Sequence, residues 1–154
     1  MIRALVKLIR SFGYAFRGLY RTTAEERNFR IHLTAVVFVT WFAFLYEASP
    51  EQFTVLCLLY GAVLCLELIN TALEKTVDLI TDEYAKLAER AKDSSAAAVL
   101  IAAIASVIVA VLTFRDPAHW SLVWDKLHSP LRLGVFLILA VASLFFIKGK
   151  TPKK

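Results

Sequence analysis

Four long apolar runs occupy residues 31–46, 53–71, 95–114 and 131–147, and they leave a chain of 154 residues room for little else. About 20 helical residues cross a hydrocarbon layer of about 30 Å. The first run reaches that length when residues 28–30 are added, with Arg30 reaching back to the interface. The chain is 58% hydrophobic, with a mean hydropathy of +0.61, whereas soluble domains hold about 45–50% apolar residues. A soluble domain of this size keeps too much surface to bury such a content. Its richness in Leu, Ile, Val and Phe excludes disorder, and two cysteines exclude a disulfide scaffold. The expected architecture is all-α: a polytopic membrane bundle of three core spans and a fourth, C-terminal one.

The net charge of +5 comes from 18 Lys+Arg against 13 Asp+Glu, and its placement speaks against nucleic acid. Seven basic residues precede the first apolar run, and four lie in the last seven positions. Basic clusters beside membrane spans contact anionic lipid headgroups and set topology. The link 47–52 has no Lys or Arg, residues 75–93 have four, and residues 115–130 have two. That alternation puts both termini and the 75–93 connection on the cytoplasmic side of a bacterial inner membrane. No cleavable signal peptide is apparent.

Two further segments read as helices lying on the membrane. In residues 1–21 the polar positions Arg3, Lys7, Arg10, Tyr14, Arg17 and Arg21 alternate with an apolar face of Leu5, Leu8, Ile9, Phe12, Phe16 and Leu19. This is the pattern of an interfacial amphipathic helix. After Pro117, residues Trp120, Val123, Trp124 and Leu127 repeat helical spacing, with tryptophans suited to the outer interface.

Polar residues enter the second span where they are costly. Glu67, Asn70, Thr71, Glu74 and Asp78 share one helix face, opposite Leu68, Ile69, Ala72, Leu73 and Val77. An ionisable group at membrane depth marks a functional site by default; a polar seam between helices is the alternative. Glu67 and Glu74 are about 10.5 Å apart along the axis, so they take different roles. Glu74, near water, suits a hard cation such as magnesium, which needs only one or two carboxylates beside phosphate and water. Glu67, deeper, suits a general base for a lipid hydroxyl. Glu26, before the first span, offers a second carboxylate to the cation of Glu74. Lys92 and Asp93, before the third span, offer a phosphate contact and its orienting carboxylate. Cys57, Cys65, His32, His119 and His128 lack metal spacing, and no glycine-rich phosphate loop is present.

The run Glu67-Leu-Ile-Asn70-Thr71-Ala-Leu-Glu74-Lys-Thr-Val-Asp78 resembles the signature of the prokaryotic integral-membrane diacylglycerol kinases. Ala91-Lys92-Asp93 with Ala96–Leu100, and Phe12-Gly13-Tyr14-Ala15-Phe16-Arg17-Gly18, are similar to two further blocks of that family. Glu25-Glu26-Arg27-Asn28-Phe29-Arg30-Ile31-His32 resembles its Gram-positive, undecaprenol kinase-like branch. The resemblance implies a homotrimeric, ATP- and magnesium-dependent lipid kinase with sites between neighbouring subunits. By position, Glu67 would be the catalytic base, with Glu26 and Glu74 holding magnesium. Tyr14, Asn70, Lys92 and Asp93 would contact ATP or order the site, together with Glu83 and Tyr84. Lys7 stands where the family often has arginine, which keeps the charge but not the bidentate geometry. The kinase-like domain would be residues 1–114, and residues 115–154 an added interfacial segment, fourth span and basic tail. Undecaprenol is the favoured acceptor and diacylglycerol the alternative. A small proton-coupled transporter or a non-catalytic membrane subunit are the readings outside the kinase class.

Overall fold

A computed structural model describes residues 2–80 and 86–149, and all the regular elements among them are helices. Helix α1 spans Ile2–Glu25. Its apolar stripe, including Leu8, Ile9, Phe12 and Phe16, is exposed along its length, as an interfacial helix requires. It runs beyond the expected end at residue 21, because no Gly or Pro occurs in residues 22–25 and the Thr23 hydroxyl donates back to the Leu19 carbonyl at 2.8 Å. The break comes at Glu26, whose backbone is extended (φ −101°, ψ 116°).

Helix α2 then runs Arg27–Tyr46 and ends at Glu47, which turns the chain through a left-handed conformation with φ 57°. Helix α3, Pro50–Ile80, follows at once. Its start is a capping box: the Gln52 side chain accepts from the Ser49 amide at 2.8 Å, and the Ser49 hydroxyl accepts from the Gln52 amide at 3.3 Å. Pro50 at the first helical position costs no hydrogen bond. The 31 residues of α3 extend about 46 Å, some 16 Å more than a hydrocarbon core. Its C-terminal turns therefore stand clear of the membrane. Helix α4, Lys86–Thr113, returns antiparallel and makes the most extensive helix pair with α3.

Helix α5, Pro117–Leu127, is capped by the Asp116 carboxylate, which accepts from the Ala118 amide at 3.0 Å. It folds back onto the end of α2. There the Tyr46 hydroxyl accepts from the Asp116 amide (2.8 Å) and donates to its carbonyl (3.2 Å). The Tyr46 ring stacks on His119 at 4.8 Å and meets Phe114 edge-on at 5.1 Å. Lys126 bridges the Glu47 carboxylate at 2.6 Å and the Leu45 carbonyl at 3.1 Å. Helix α6, Pro130–Lys148, packs along α2 through the edge-on pair Phe38–Phe136, with ring centroids 5.9 Å apart.

Helices α2, α3, α4 and α6 are each long and apolar enough to cross a membrane, in agreement with the four runs read from the sequence. Apolar side chains cover much of the outer surface as well as the core. Leu58, Ile69, Ile101, Val107, Ile138 and Phe145 face outward, while Arg30, Glu67, Asn70 and Thr71 are buried. Cys57 and Cys65 are exposed on the outer face of α3.

Candidate active site

The site end of the bundle is where the C-termini of α1, α3 and α6 meet the N-termini of α2 and α4. The polar face of α3 turns inward there. Glu67 is 4% exposed, Thr71 6% and Asn70 7%, with Glu74 half-buried one turn further on. Glu67 has no hydrogen bond or ion pair among the described residues. Glu74 lies on the same face of α3, and Glu26 sits at the elbow between α1 and α2, 3.6 Å from Lys75 of α3.

A hydrogen-bond relay fixes the next turn. Asn70 Nδ2 donates to Glu74 Oε1 at 2.8 Å, and Asn70 Oδ1 accepts from the Ser95 hydroxyl at 2.5 Å. The same hydroxyl lies 2.8 Å from the Lys92 carbonyl. Asn70 therefore joins α3 to α4 and aims Glu74, leaving the second oxygen of Glu74 without a protein partner among the described residues. Ser95 and Lys75 are members of the site that the sequence reading did not single out. Lys75 Nζ lies 2.5 Å from Glu25 Oε2 and 3.6 Å from Glu26 Oε1, which ties the α1–α2 elbow to α3. The Lys75 ammonium holds the Glu25 carboxyl below the usual carboxylate value through its hydrogen bond and its charge, and Arg21 adds to this.

Two expectations need correction. Arg30 does not reach to the interface; it is 3% exposed and turned into the protein. Its Nη1 donates to the carbonyls of Thr23 (3.1 Å) and Ala24 (2.9 Å), because the orphan carbonyls ending α1 are nearer than water. Lys92 pairs with Asp78 of α3 and not with its neighbour Asp93. Successive helical residues point about 100° apart, so Asp93 is exposed while Lys92 faces α3. Lys7 and Tyr14 are exposed on α1; Tyr14 carries the Arg17 guanidinium 4.9 Å over its ring. No hydrogen bond or ion pair joins either of them to the carboxylates among the described residues. Glu83 and Tyr84 lie outside the described residues.

An apolar cavity of ≈ 290 Å³ runs between α2, α3 and α4, lined by His32, Val36, Tyr60, Val63, Leu64 and Ala103 among others. Val63 and Leu64 stand one turn from Glu67 on the same helix. Along α3, Glu67 thus falls between residues that line the cavity and the residues of the polar relay. Among the described residues no three His, Cys, Asp or Glu side chains form a metal cage.

A buried polar face at one end of the membrane spans, on a helix that also lines an apolar cavity, suits a membrane protein that brings a lipid and a polar reactant together. Residues 13–114 match the prokaryotic diacylglycerol kinase family. The chain is 44% identical to the undecaprenol kinase of Bacillus subtilis over 110 residues, 71% of this chain and 89% of that protein. It is 48% identical to a diacylglycerol kinase of Synechocystis over 103 residues, 66% of this chain and 59% of that protein. A diacylglycerol kinase of Escherichia coli K12 is 35% identical over 108 residues, 70% of this chain and 85% of that protein. The chain belongs to the prokaryotic diacylglycerol kinase family. It is a multi-pass membrane lipid kinase, which draws on a nucleotide phosphoryl donor.

Proposed function

We propose that the protein transfers the γ-phosphoryl group of ATP to the hydroxyl of undecaprenol, giving undecaprenyl phosphate and ADP. The observation that carries this reading is Glu67: a buried carboxylate with no ion pair among the described residues, on a helix that carries the Asn70–Glu74 relay one turn on and lines an apolar cavity one turn back. The acceptor hydroxyl rests against Glu67 with its hydrocarbon in the cavity. As its oxygen bonds to the γ-phosphorus, the bond to the ADP oxygen breaks and Glu67 takes the hydroxyl proton.

Glu26 and Glu74 would hold magnesium, which when bound neutralises charge on the phosphate oxygens. Asn70 fixes Glu74, while Lys92 and Asp93 stand at the start of α4 where the nucleotide's phosphates arrive. Tyr14 and Lys7 of α1, and Glu83 and Tyr84 of the 81–85 connection, complete the nucleotide contacts in this reading. Because Lys7 and Tyr14 are far along α1, a neighbouring subunit of a homotrimer is the natural recipient of their side chains. The same reading places both termini on the cytoplasmic side of the bacterial inner membrane, with the basic α1 and C-terminal tail on anionic headgroups. Residues 115–154 are taken as an addition to the kinase domain of residues 1–114.

Undecaprenol is favoured by the similarity to the Bacillus subtilis undecaprenol kinase, which reaches across 89% of that protein. Diacylglycerol is the second reading, supported by the Synechocystis relative. Purified protein given labelled ATP, magnesium and equimolar undecaprenol and diacylglycerol decides between them by the labelled product. Glu67→Gln removes transfer to the preferred alcohol and leaves nucleotide binding intact. Near-normal turnover in that variant contradicts the role of Glu67, and transfer to neither lipid by the parent protein contradicts the proposal as a whole.

A further inference from the structure

Helix α6 lies outside the family-matching residues 13–114, yet its end reaches the site. Arg30 Nη2 donates to the Ile147 carbonyl in the last turn of α6 at 3.4 Å, while Nη1 holds the carbonyls of Thr23 and Ala24 at the end of α1. The guanidinium is buried, and the chain leaving α6 passes directly over it: a Cβ on Gly149 would stand 3.6 Å from Arg30 Cζ. The carbonyl ends of two helices carry partial negative charge, and both face this one cation. Arginine suits the position because its rigid fork serves several acceptors at once.

The carbonyls that Arg30 grips belong to the residues just before Glu25 and Glu26. Lys75 holds those two carboxylates from α3, and Arg30 holds the backbone behind them from α2 and α6. Glu26 itself is the break between α1 and α2: its backbone is extended, and it is tied to α1 through its amide, which donates to the Thr22 carbonyl at 2.8 Å. Its position therefore depends on the end of α1, with the carbonyls of Thr23 and Ala24, on one side and on the first turn of α2 on the other. Arg30 holds the first through its side chain and, one turn into α2, the second through its backbone amide, which donates to the Glu26 carbonyl at 3.3 Å.

We infer that Arg30 is a positioning residue for the kinase site and that α6 is the third arm of the clamp, fixing where Glu26 stands relative to Glu74 and Glu67. The inference rests on the reading of Glu26 as a nucleotide-site carboxylate. On this view α6 is coupled to the reaction at its C-terminal end and steadied on α2 by the Phe38–Phe136 contact. Displacing that arm lets Ala24 and Glu26 shift together, which weakens the hold on nucleotide more than the chemistry that follows.

The test uses the full-length protein in detergent at saturating lipid alcohol, with kcat and KM for ATP measured separately beside the thermal midpoint. Arg30→Gln raises KM about tenfold and changes kcat less than about threefold, since it loses ground-state positioning of one site carboxylate. Arg30→Lys, which keeps the charge and can reach one carbonyl, falls between it and the parent. Phe136→Ala raises KM by about two- to fivefold, and adding it to Arg30→Gln gives no further rise, because contacts in one network are not additive. A lowered midpoint with an unchanged KM in Arg30→Gln overturns the positioning role. A parental KM in Phe136→Ala overturns the part given to α6. Should Arg30→Gln fail to fold, Arg30→Lys and Phe136→Ala carry the test, and parental KM values in both overturn the inference. Glu26→Gln is the reference: no rise in its KM refutes the site reading itself, whereas a rise there without one in the Arg30 and Phe136 variants refutes only the clamp.

Discussion

Replacing Asn70 with alanine removes the relay while leaving both carboxylates in place. The native amide makes two bonds, donating to Glu74 Oε1 at 2.8 Å and accepting from the Ser95 hydroxyl at 2.5 Å, and the side chain is almost wholly buried. A hydrogen bond to a charged group contributes about 1.5–3 kcal/mol. If that energy serves to hold Glu74 in its working orientation, its loss appears as a fall in kcat/KM of about 10- to 150-fold. Ser95→Ala is milder. It deletes a bond between neutral groups, contributing about 0.5–1.5 kcal/mol, so a fall of about 2- to 12-fold is expected. The double variant should be no worse than Asn70→Ala, because the bond that Ser95 makes to Asn70 is already gone. Label transfer from ATP to the lipid alcohol in detergent, with thermal unfolding as the control for folding, measures all three. A value of kcat/KM within about threefold of the parent for a folded Asn70→Ala would refute the claim that the relay aims Glu74.

Lys75→Met releases Glu25 and Glu26 from α3. In the parent the Glu25 carboxyl lies below its ordinary value of 4.5, so its pairing stabilises the fold above that value and is lost as pH falls through the lowered one. The variant should therefore lose stability at neutral pH and show a flatter response to acid between about pH 5 and 3, which thermal midpoints across that window would reveal. Tyr46→Phe leaves the amide and carbonyl of Asp116 without their buried partner, and unfolding in a mild denaturing detergent should show a loss of about 1–3 kcal/mol. Its activity at low temperature should match the parent, because the cluster lies at the opposite end of the bundle from Glu67.

The polar face of α3 is legible in sequence because a period of 3.6 places Glu67, Asn70, Thr71 and Glu74 together, and because charge at membrane depth is costly enough to stand out. The spans are legible for the complementary reason. Partnerships between distant elements are not. Lys75 meets Glu25 across 50 positions, and nothing local to either residue announces it. Arg30 misleads because the rule for arginines near a membrane surface sends them to water, while here the unsatisfied ends of α1 and α6 compete and prevail. Adjacency in sequence suggested Lys92 with Asp93, but neighbours on a helix do not face each other. The early turns of α4 are hidden for another reason: residues 86–94 are too polar to read as part of a span, yet they continue the same helix outside the membrane.

The charge balance of the site argues for what must accompany a nucleotide there. The described carboxylates at this end include Glu25, Glu26, Glu67, Glu74, Asp78 and Asp93. Lys75 is shared by the first two, and Lys92 pairs with Asp78. Glu67 and Glu74 have no ion pair among the described residues, and the only hydrogen bond made to either is the neutral amide of Asn70 on Glu74. Such a face repels a free triphosphate, and burial strengthens the repulsion by lowering the effective dielectric. A divalent cation between Glu26, Glu74 and the phosphates reverses the sign of that contact. Nucleotide should accordingly bind weakly in excess chelator and recover on titration with magnesium, as followed by equilibrium binding of a fluorescent ATP analogue with no lipid present. Glu74→Gln removes one negative charge, so it should strengthen metal-free binding while blunting the gain from magnesium. If chelator instead leaves nucleotide affinity unchanged in the parent, the carboxylates are not the groups that meet the phosphates.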